Sequence, residues 1–223
     1  MTTHSALQEL LSARHSCRAF RPDPVPRDVI AQILRDAGRV PSWCNAQPWQ
    51  VRVTSGAATN AFRAAMLDAF DNAASSCDFE PPSGYTGPRQ ARRRTCGLQL
   101  YQAVGIERGD RAGRAAQMRE NYRLFGAPHL AMITTAAELG TYGALDCGGF
   151  ITAFCLSATA QGVATVPQAA LAFYANEVRA HFAIPADEKI LAAISFGYPD
   201  TDNPANAFRT ERAALEEFVT WLD

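Results

Sequence analysis

The sequence predicts an α+β fold, and three features of the chain lead to this prediction. Segments with helical spacing are mixed with segments that alternate like strands, without the regular order that builds a doubly wound parallel sheet. The 223 residues show no internal repeat and no linker, so a single domain over residues 1–223 is expected. With 48% hydrophobic and 19% charged residues, this domain can bury a sizeable core.

The first third of the chain is predicted to contain three helices and one strand. The second helix follows the proline-rich run Pro22–Pro26 and ends near Gly38, because its apolar residues recur at helical spacing. Trp49–Thr54 alternates apolar and polar residues, which predicts a strand with one buried face. The other helices are predicted over residues 5–13 and 57–71.

A long peripheral segment is predicted over residues 72–125. Its first part, up to Pro88, is rich in Ser, Gly, Pro and Asp, which indicates a surface loop. Its second part, Arg89–Arg123, is basic and compatible with a helix. We interpret the whole as a lid-like excursion inserted into the domain.

The second half is predicted to contain a helix that needs cover on all sides. Residues Tyr142–Gln161 are apolar or small on nearly every face, so a partner subunit is the natural cover in a chain of this length. Around this helix we predict strands over 130–135, 163–166 and 190–196, a helix over 175–183, and a tail from Asn203 that is extended and then helical.

Composition excludes several functions. The formal net charge of -1 and the pI of about 6.4 offer no general attraction to nucleic acid or to an acidic membrane. The N-terminal apolar stretch is too short for a signal peptide or a membrane span, so a cytoplasmic protein is expected. Six cysteines without a CxxC pair and four histidines without zinc-site spacing predict free thiols and no metal site.

The segment Arg14-His15-Ser16-Cys17-Arg18 is the first candidate binding group. Arginine offers planar paired donors to phosphate oxygens, and a serine hydroxyl can complete such a cradle. Arg14 and Arg18 lie on the same side whether the segment is helical or extended. From these residues alone, a phosphate site and a solvated polar loop both remain open.

The segment Pro41–Trp49 is the second candidate group. It holds Ser42 and the two primary amides of Asn45 and Gln47 between prolines and tryptophans, directly before a strand. Amides donate and accept together, as the edge of a heteroaromatic ring requires. A turn with capping side chains is the open alternative.

Together these two segments resemble the paired N-terminal signature of the nitroreductase flavoprotein superfamily. The similarity continues through Ala164-Thr165-Val166-Pro167-Gln168, Phe196-Gly197-Tyr198-Pro199 and the tail Phe208-Arg209-x-x-Arg212. Four parts of the chain are similar to the nitrobenzoate and dinitroaniline reductase branch of that superfamily. They are the basic insert, Gly126–His129, Thr165–Leu171 and Asn203–Asn206.

The resemblance implies an α/β/α sandwich with a mixed, antiparallel-rich sheet. It implies a homodimer formed through the long central helix, with a C-terminal extension that embraces the partner and one FMN in each of two interface sites. It places Arg14 and Ser16 at the FMN phosphate and ribityl chain, with His15 and Arg18 beside them. Ser42, Asn45 and Gln47 of the other subunit would meet the ribityl chain and ring.

The resemblance assigns the remaining site residues to the two later segments. Pro167, Gln168 and Ala169 would lie along the flavin, where backbone N–H groups face N5 and O4. Arg209, together with Arg212, would close on the phosphate. For Arg212 an i,i+4 pair with Glu216 on an exposed helix is an equal alternative.

The implied activity is reduction of nitroaromatic or quinone-like substrates by NADPH or NADH, in ping-pong hydride transfer through flavin N5. Because FMN carries this chemistry, no catalytic triad or metal is expected. No GxGxxG follows a strand, so a Rossmann nucleotide site is not indicated. Candidates on the substrate side are the aromatic and basic residues Tyr85, Arg89, Arg92–Arg94, Tyr101, Tyr122, Phe125 and Phe173, although the basic ones also suit a solvated helix.

Two alternatives of other kinds remain open. One is a flavin-binding redox sensor, in which Cys17 and Cys44 respond and the basic residues beside Cys17 lower its pKa. The other is a dehalogenase or flavin-modifying member of the same superfamily. The sequence argues against the latter on two grounds. A dehalogenase of this superfamily would have a lysine in the lid, but the one lysine, Lys189, lies outside it. A flavin-fragmenting enzyme would have Asp at the position of Ser16.

Overall fold

In the computed structural model, which describes residues 2–222, seven α-helices surround a four-stranded sheet. The strands are β1 (Trp49–Ser55), β2 (His129–Ala136), β3 (Ala164–Gln168) and β4 (Glu188–Gly197). Their order across the sheet is β1-β2-β4-β3, and every neighbouring pair is antiparallel. The helices are α1 (Thr3–Ala13), α2 (Arg27–Ala37), α3 (Ala57–Asn72), α4 (Gly87–Ala103), α5 (Arg111–Arg119), α6 (Gly140–Ala160) and α7 (Ala175–Phe182).

The α+β prediction is confirmed, and the layers follow from the two faces of β2. Leu130 and Met132 point into one core, where Phe62 of α3 and Val178 of α7 pack. Their neighbours Ala131 and Ile133 point into a second core with residues of α2, α6 and β4. Successive strand residues face opposite sides of a sheet, so a strand covered on both faces carries a continuous apolar run, here residues 130–133. The sheet is therefore covered by helices on both faces.

The predicted excursion over residues 72–125 lies outside these two cores for most of its length. It carries α4 and α5, and within the described chain neither helix has a buried residue. The segment is anchored near its start by Asp78, whose carboxylate accepts hydrogen bonds from the Arg179 guanidinium at 2.6 Å and from the Ile190 backbone N–H at 2.7 Å. It is anchored at its end by Tyr122 and Phe125, which are buried in the first core.

Helix α6 is the apolar helix that the sequence predicts. One side packs against the sheet and α2, with Phe150 and Phe154 buried, whereas Leu145 is 67% exposed and Tyr142 is 56% exposed. By length and hydropathy alone the helix could cross a bilayer, but 33% of its most apolar 18-residue stretch is buried inside the structure. Its exposed apolar side remains to be covered.

The tail differs from the prediction of an extended segment followed by a helix. After a short 3-10 turn at Pro204–Asn206 the backbone is irregular, and only another short 3-10 turn, Leu215–Glu217, interrupts it. Phe218 and Trp221 are 68% and 75% exposed, so the tail buries little apolar surface in this chain. Because short helices are marginal without tertiary packing, the helical pattern is not realised. The alternative pair of Arg212 with Glu216 on a helix is therefore wrong.

A buried histidine fastens the start of α2 to the sheet. The Val25 backbone N–H donates to Nε2 of His129 at 2.8 Å, so the neutral ring carries its proton on Nδ1, which faces the Ser55 hydroxyl at 2.8 Å and the Thr54 carbonyl at 3.3 Å. The ring also stacks on Phe196. Burial lowers the pKa of His129 below its usual 6.5, because the charged form loses hydration.

This arrangement predicts loss of stability in mild acid. A histidine with a lowered folded-state pKa binds fewer protons than the unfolded chain below pH 6.5, so the free energy of unfolding falls as the pH drops through that value. We expect urea unfolding curves to show this loss, and the His129→Gln variant to show less of it. The matched His4→Gln variant changes an exposed histidine of α1 and should lose as much stability in acid as the unmodified chain. An equal loss in all three proteins would contradict the prediction.

Candidate functional site

The first candidate group lies along the edge strand of the sheet. Arg14 ends α1, and the chain then becomes extended. Ser16 forms a parallel bridge with Thr165 of β3, and the Cys17 backbone N–H donates to the Thr165 carbonyl at 2.9 Å. These bonds fix the backbone of residues 14–18 beside β3, so the segment is not a free solvated loop.

The tail is brought to the same place by the side chain of Asn206. Its Oδ1 accepts from the Arg18 backbone N–H at 2.7 Å, and its Nδ2 donates to the carbonyls of Ala19 at 2.9 Å and Asp200 at 2.8 Å. Asn206 is 8% exposed, so these bonds are sheltered from water. The clamp joins segments that lie 188 positions apart and carries Arg209 to the neighbourhood of Arg14.

The two segments together line one cavity of about 350 Å³, which we call the cradle. Among the described residues its lining contains no carboxylate, although it contains four arginines and a histidine. Six of the predicted site residues line it, namely Arg14, His15, Ser16, Arg18, Arg209 and Arg212. The other lining residues are Leu11, Ser12, Cys96, Phe208 and Thr210. The cradle is a site of concentrated positive potential, as an anion requires.

His15 reports this potential. Its Nδ1 lies 2.9 Å from the Ala13 carbonyl, which fits a neutral ring that donates from Nδ1 and leaves Nε2 free to accept. Burial lowers the pKa of His15 most, and the charges of Arg209, Arg14 and Arg18 lower it further against the opposing hydrogen bond to Ala13. An anion in the cradle would offset the repulsion between these groups.

The guanidinium groups of the cradle differ in how far they are already engaged. Arg18 lies over the Phe208 ring at 5.6 Å and donates to the Ser16 carbonyl at 3.3 Å. Arg209 donates to the carbonyls of Asn206 and Phe208, and Arg212 donates to Thr210 and Glu211. Within residues 2–222 the Arg14 side chain makes no hydrogen bond or ion pair. Its donors are free for a ligand.

The second candidate group forms a strained, exposed loop. Cys44, Asn45 and Gln47 have positive φ angles of 48°, 59° and 48°, a conformation that is costly for residues other than glycine. The loop is held because the Ser42 hydroxyl oxygen accepts from the Gln47 backbone N–H at 2.9 Å and Asp146 of α6 accepts from the Trp43 backbone N–H at 2.9 Å. The amides of Asn45 and Gln47 are thereby presented to solvent.

In a single chain this loop does not line the cradle. It borders a separate cavity of about 190 Å³, where Trp43 and Ala46 face Tyr142 and Asp146 at the exposed start of α6. The ring of Trp43 packs against that of Tyr142 with centroids 4.5 Å apart. The loop therefore adjoins the uncovered apolar side of α6.

The third predicted segment ends β3. Pro167 and Ala169 are exposed, but the Gln168 side chain is buried. It accepts from the Ser195 hydroxyl at 2.6 Å and donates to the Asn121 carbonyl at 2.8 Å. The side chain of Gln168 thus ties β3 to β4 and to the end of the excursion and is not available to a ligand.

Comparison with known proteins gives the class of the chain. The nitroreductase family model matches residues 11–198, which include both N-terminal groups and β3. This chain belongs to the nitroreductase family. It is 38% identical to the nitroreductase NfnB of Mycolicibacterium smegmatis over 213 residues, which cover 95% of this chain and 91% of that protein.

Two further comparisons place this nitroreductase more closely. It is 32% identical to a 4-nitrobenzoate reductase of Nocardioides sp. over 222 residues, covering 97% of this chain and 90% of the relative. Its structure matches the crystal structure of the FMN-dependent nitroreductase NfnB from Mycobacterium smegmatis in complex with NADPH, with a TM-score of 0.95, 36% identity and full coverage of both chains. The resemblance to the nitrobenzoate reductase branch is confirmed.

Other expectations for this nitroreductase are wrong. Cys17 is fully buried, its thiol donates to the Ala19 carbonyl, and burial raises its pKa to about 11, so the neighbouring arginines do not activate it. Tyr122 and Phe125 belong to the hydrophobic core and are not free to stack on a substrate. The sequence shows the basic neighbours of Cys17 and the aromatic rings of Tyr122 and Phe125, but it does not show that these three side chains are buried.

Three positions of this nitroreductase were not among the site residues predicted from the sequence. Asn206 and Asp146 act through bonds to residues more than 100 positions away. Cys96 of α4 lines the cradle from the excursion. The Asn203–Asn206 motif was a signal for the first, whereas nothing local distinguishes Asp146 or Cys96.

Proposed function

We propose that this chain is an FMN-dependent oxidoreductase that uses NADPH or NADH to reduce nitroaromatic or quinone-like compounds. The observation that carries the proposal is the cradle, where six residues from opposite ends of the chain surround one cavity without a carboxylate. The relatives support it, because the structurally similar NfnB is FMN-dependent and binds NADPH, and a relative in sequence reduces 4-nitrobenzoate.

The donor set of the cradle fits the phosphate of FMN. A phosphate monoester is close to a dianion at neutral pH, and guanidinium groups bind its oxygens through paired, charge-assisted hydrogen bonds. Arg14 with its free donors, Arg209 and the Ser16 hydroxyl would hold the phosphate. His15, Arg18 and Arg212 would surround it and strengthen the local field.

The remaining predicted residues would hold the ribityl chain and the ring. Pro167 and Ala169 are exposed at the end of β3 and would lie along the flat ring, and the buried Gln168 side chain holds this edge through Ser195 and Asn121. Ser42 uses its oxygen inside the loop and can still donate its hydroxyl proton. Asn45 and Gln47 offer amides that donate and accept. When bound, FMN supplies the redox chemistry between nicotinamide and nitro group.

A homodimer completes this site. In one chain Ser42, Asn45 and Gln47 do not line the cradle, and the apolar side of α6 beside them is uncovered. The apolar tail residues Phe218, Trp221 and Leu222 are likewise exposed and suit a surface of the partner. The proposal is therefore two sites at the α6 interface, each built from both subunits, in a cytoplasmic protein.

A redox sensor is disfavoured as the alternative. Cys17 is buried with a raised pKa, which removes the main support for a responsive thiol beside the flavin. Lys189, the one lysine, lies on β4 with its Nζ over the Phe79 ring at 5.2 Å, so the excursion itself carries no lysine. A dehalogenase that uses a lysine of the lid is therefore also disfavoured.

Anaerobic reduction of the purified protein tests the proposal. The protein should carry FMN as isolated, NADPH or NADH should bleach its yellow absorbance, and 4-nitrobenzoate or a quinone should restore the colour without oxygen. This sequence of changes needs both half-reactions and excludes a protein that only stores flavin. A bound flavin that neither nucleotide bleaches would contradict the proposal.

Substitution of Gly149 tests the shared site. A Cβ at this exposed position of α6 meets only Val40 at 3.9 Å, so the single chain tolerates a side chain that a close helix–helix interface does not. We expect Gly149→Arg to yield folded monomers that lose FMN, as measured by light scattering and flavin absorbance. The control is Ala61→Arg on the exposed surface of α3, which should remain dimeric. A verified Gly149→Arg monomer that retains FMN would refute a site built from two subunits.

A further inference from the structure

Both ends of the excursion are fastened to one short segment, residues 168–176, which begins where β3 ends and which we call the root segment. At the start of the excursion, the Ser76 backbone N–H donates to the Phe173 carbonyl at 2.8 Å. At its end, the Asn121 carbonyl accepts from Nε2 of Gln168 at 2.8 Å. A movement of the excursion at either end is therefore transmitted to the root segment.

The root segment begins where the flavin ring is proposed to lie. Ser16 of the cradle is bridged to Thr165 of β3, so the phosphate end of FMN would lie beside this part of the strand. From Thr165 to Gln168 the strand advances roughly 10 Å at the usual rise per residue. Because the ribityl chain of FMN can span such a distance, the ring would reach the exposed residues Pro167 and Ala169. The root segment therefore connects the proposed ring edge with the excursion.

The side chain of Gln168 makes this connection with both of its polar atoms. It is 3% exposed, so its amide would be costly to bury without hydrogen-bond partners inside the protein. Its Oε1 accepts from the Ser195 hydroxyl of β4 at 2.6 Å, while its Nε2 donates to Asn121. An amide supplies the acceptor and the donor together, and an apolar side chain of similar length supplies neither. The residue type at position 168 therefore follows from these two contacts within the protein.

The partner of Gln168 at the end of the excursion is firmly held. Asn121 is followed by Tyr122, which is buried in the first core. The Tyr122 ring stacks on Phe70 of α3 with centroids 4.4 Å apart and packs edge to face on Tyr174 of the root segment at 5.5 Å. These contacts fix the backbone at Asn121, and Gln168 fixes the proposed ring edge relative to it.

We propose that Gln168 is a positioning residue for the transfer of a hydride from NADPH or NADH to the flavin. Its amide holds residues 167–169 between β4 and the end of the excursion, and this backbone sets the position of the flavin ring beneath the nucleotide. The side chain itself touches neither ligand, because it is buried and both of its polar atoms are bound within the protein. Hydride transfer requires close and aligned donor and acceptor atoms, and a displacement of about 1 Å can cost roughly a hundredfold in rate. This inference rests on the proposed function.

Hydrogen exchange tests the link without turnover. FMN should slow the exchange of backbone N–H groups in the root segment and, through Gln168, in residues 119–124 at the end of the excursion. In the Gln168→Met variant FMN should still slow exchange in the root segment, but its effect on residues 119–124 should fall severalfold. An effect of FMN on residues 119–124 that is equal in both proteins would overturn the inference.

Anaerobic rapid mixing of the FMN-loaded protein with a reducing nucleotide supplies the kinetic readout. We expect Gln168→Met to lower the limiting rate constant of flavin bleaching by about tenfold or more, because the ring is less well aligned. The nucleotide concentration that gives half this rate should change by less than about threefold, since the side chain does not contact the nucleotide. The control is Gln32→Met on α2, whose amide also donates to Asp36 and accepts from Arg35 but is exposed to solvent. This control should react at the unmodified rate.

The Ser195→Ala variant tests the same link with a smaller change and protects the test against misfolding of Gln168→Met. It removes one of the two partners of Gln168 and should lower the limiting rate constant by about threefold or more. Because Ser195 acts through Gln168, the double variant Ser195→Ala/Gln168→Met should be no slower than Gln168→Met alone. Losses that multiply in the double variant would show independent effects and contradict the inference.

The outcomes separate this inference from the proposed function. If Gln168→Met loses FMN but its remaining loaded fraction reacts at the unmodified rate, the residue has a structural role only and the inference is wrong. It is equally wrong if the variant retains FMN and the rate is unchanged, even though the nucleotide bleaches the flavin. Failure of both NADPH and NADH to bleach the unmodified protein would instead count against the proposed function.

Discussion

The hydrogen bonds of the Asn206 side chain are the contacts on which the candidate site depends. Together with the backbone hydrogen bonds between Arg21 and Tyr198 and between Asp200 and Ala19, they join the segment after α1 to the segment before the tail and hold Arg209 near Arg14. The cradle that results brings four arginines together without a carboxylate, and their mutual repulsion favours a bound anion. The two cores on either face of the sheet bury the apolar surface that stabilises the fold. The packing of the two cores therefore compensates for the repulsion among the arginines, and the cradle can bind an anion.

Most of the fold could be predicted from local patterns. Apolar residues recur at a period of 2 in strands and 3.6 in helices, because an element that buries one face needs apolar side chains on that face. This periodicity can be read directly from the sequence. The excursion was recognisable for the opposite reason, since its loop and its basic helices lack a buried face. The basic pentapeptide and the amide-rich loop were recognisable by composition, and the resemblance to a family specified the ligand that composition left open.

What the sequence did not show depends on contacts between distant residues. Cys17 lies among basic residues in the chain but points into the core, so its pKa rises where the local sequence suggested a fall. Gln168 is predicted to lie along the flavin, yet its side chain is buried and accepts a hydrogen bond from Ser195. The tail has a helical pattern without a surface to pack on, so the pattern is not realised in the single chain. In each case tertiary environment, rather than residue type, decides the role.

The difference in affinity between FMN and riboflavin is the most direct measure of the proposed phosphate site formed by the two ends of the chain. The two ligands share the ring and the ribityl chain, so titration of the flavin-free protein isolates the phosphate. We predict that FMN binds at least about 100-fold tighter, because two or more charge-assisted hydrogen bonds depend on the phosphate. Arg209→Ala and Asn206→Ala should each reduce this ratio severalfold or more, whereas Arg27→Ala should not. Equal affinities for FMN and riboflavin in the unmodified protein would contradict the account.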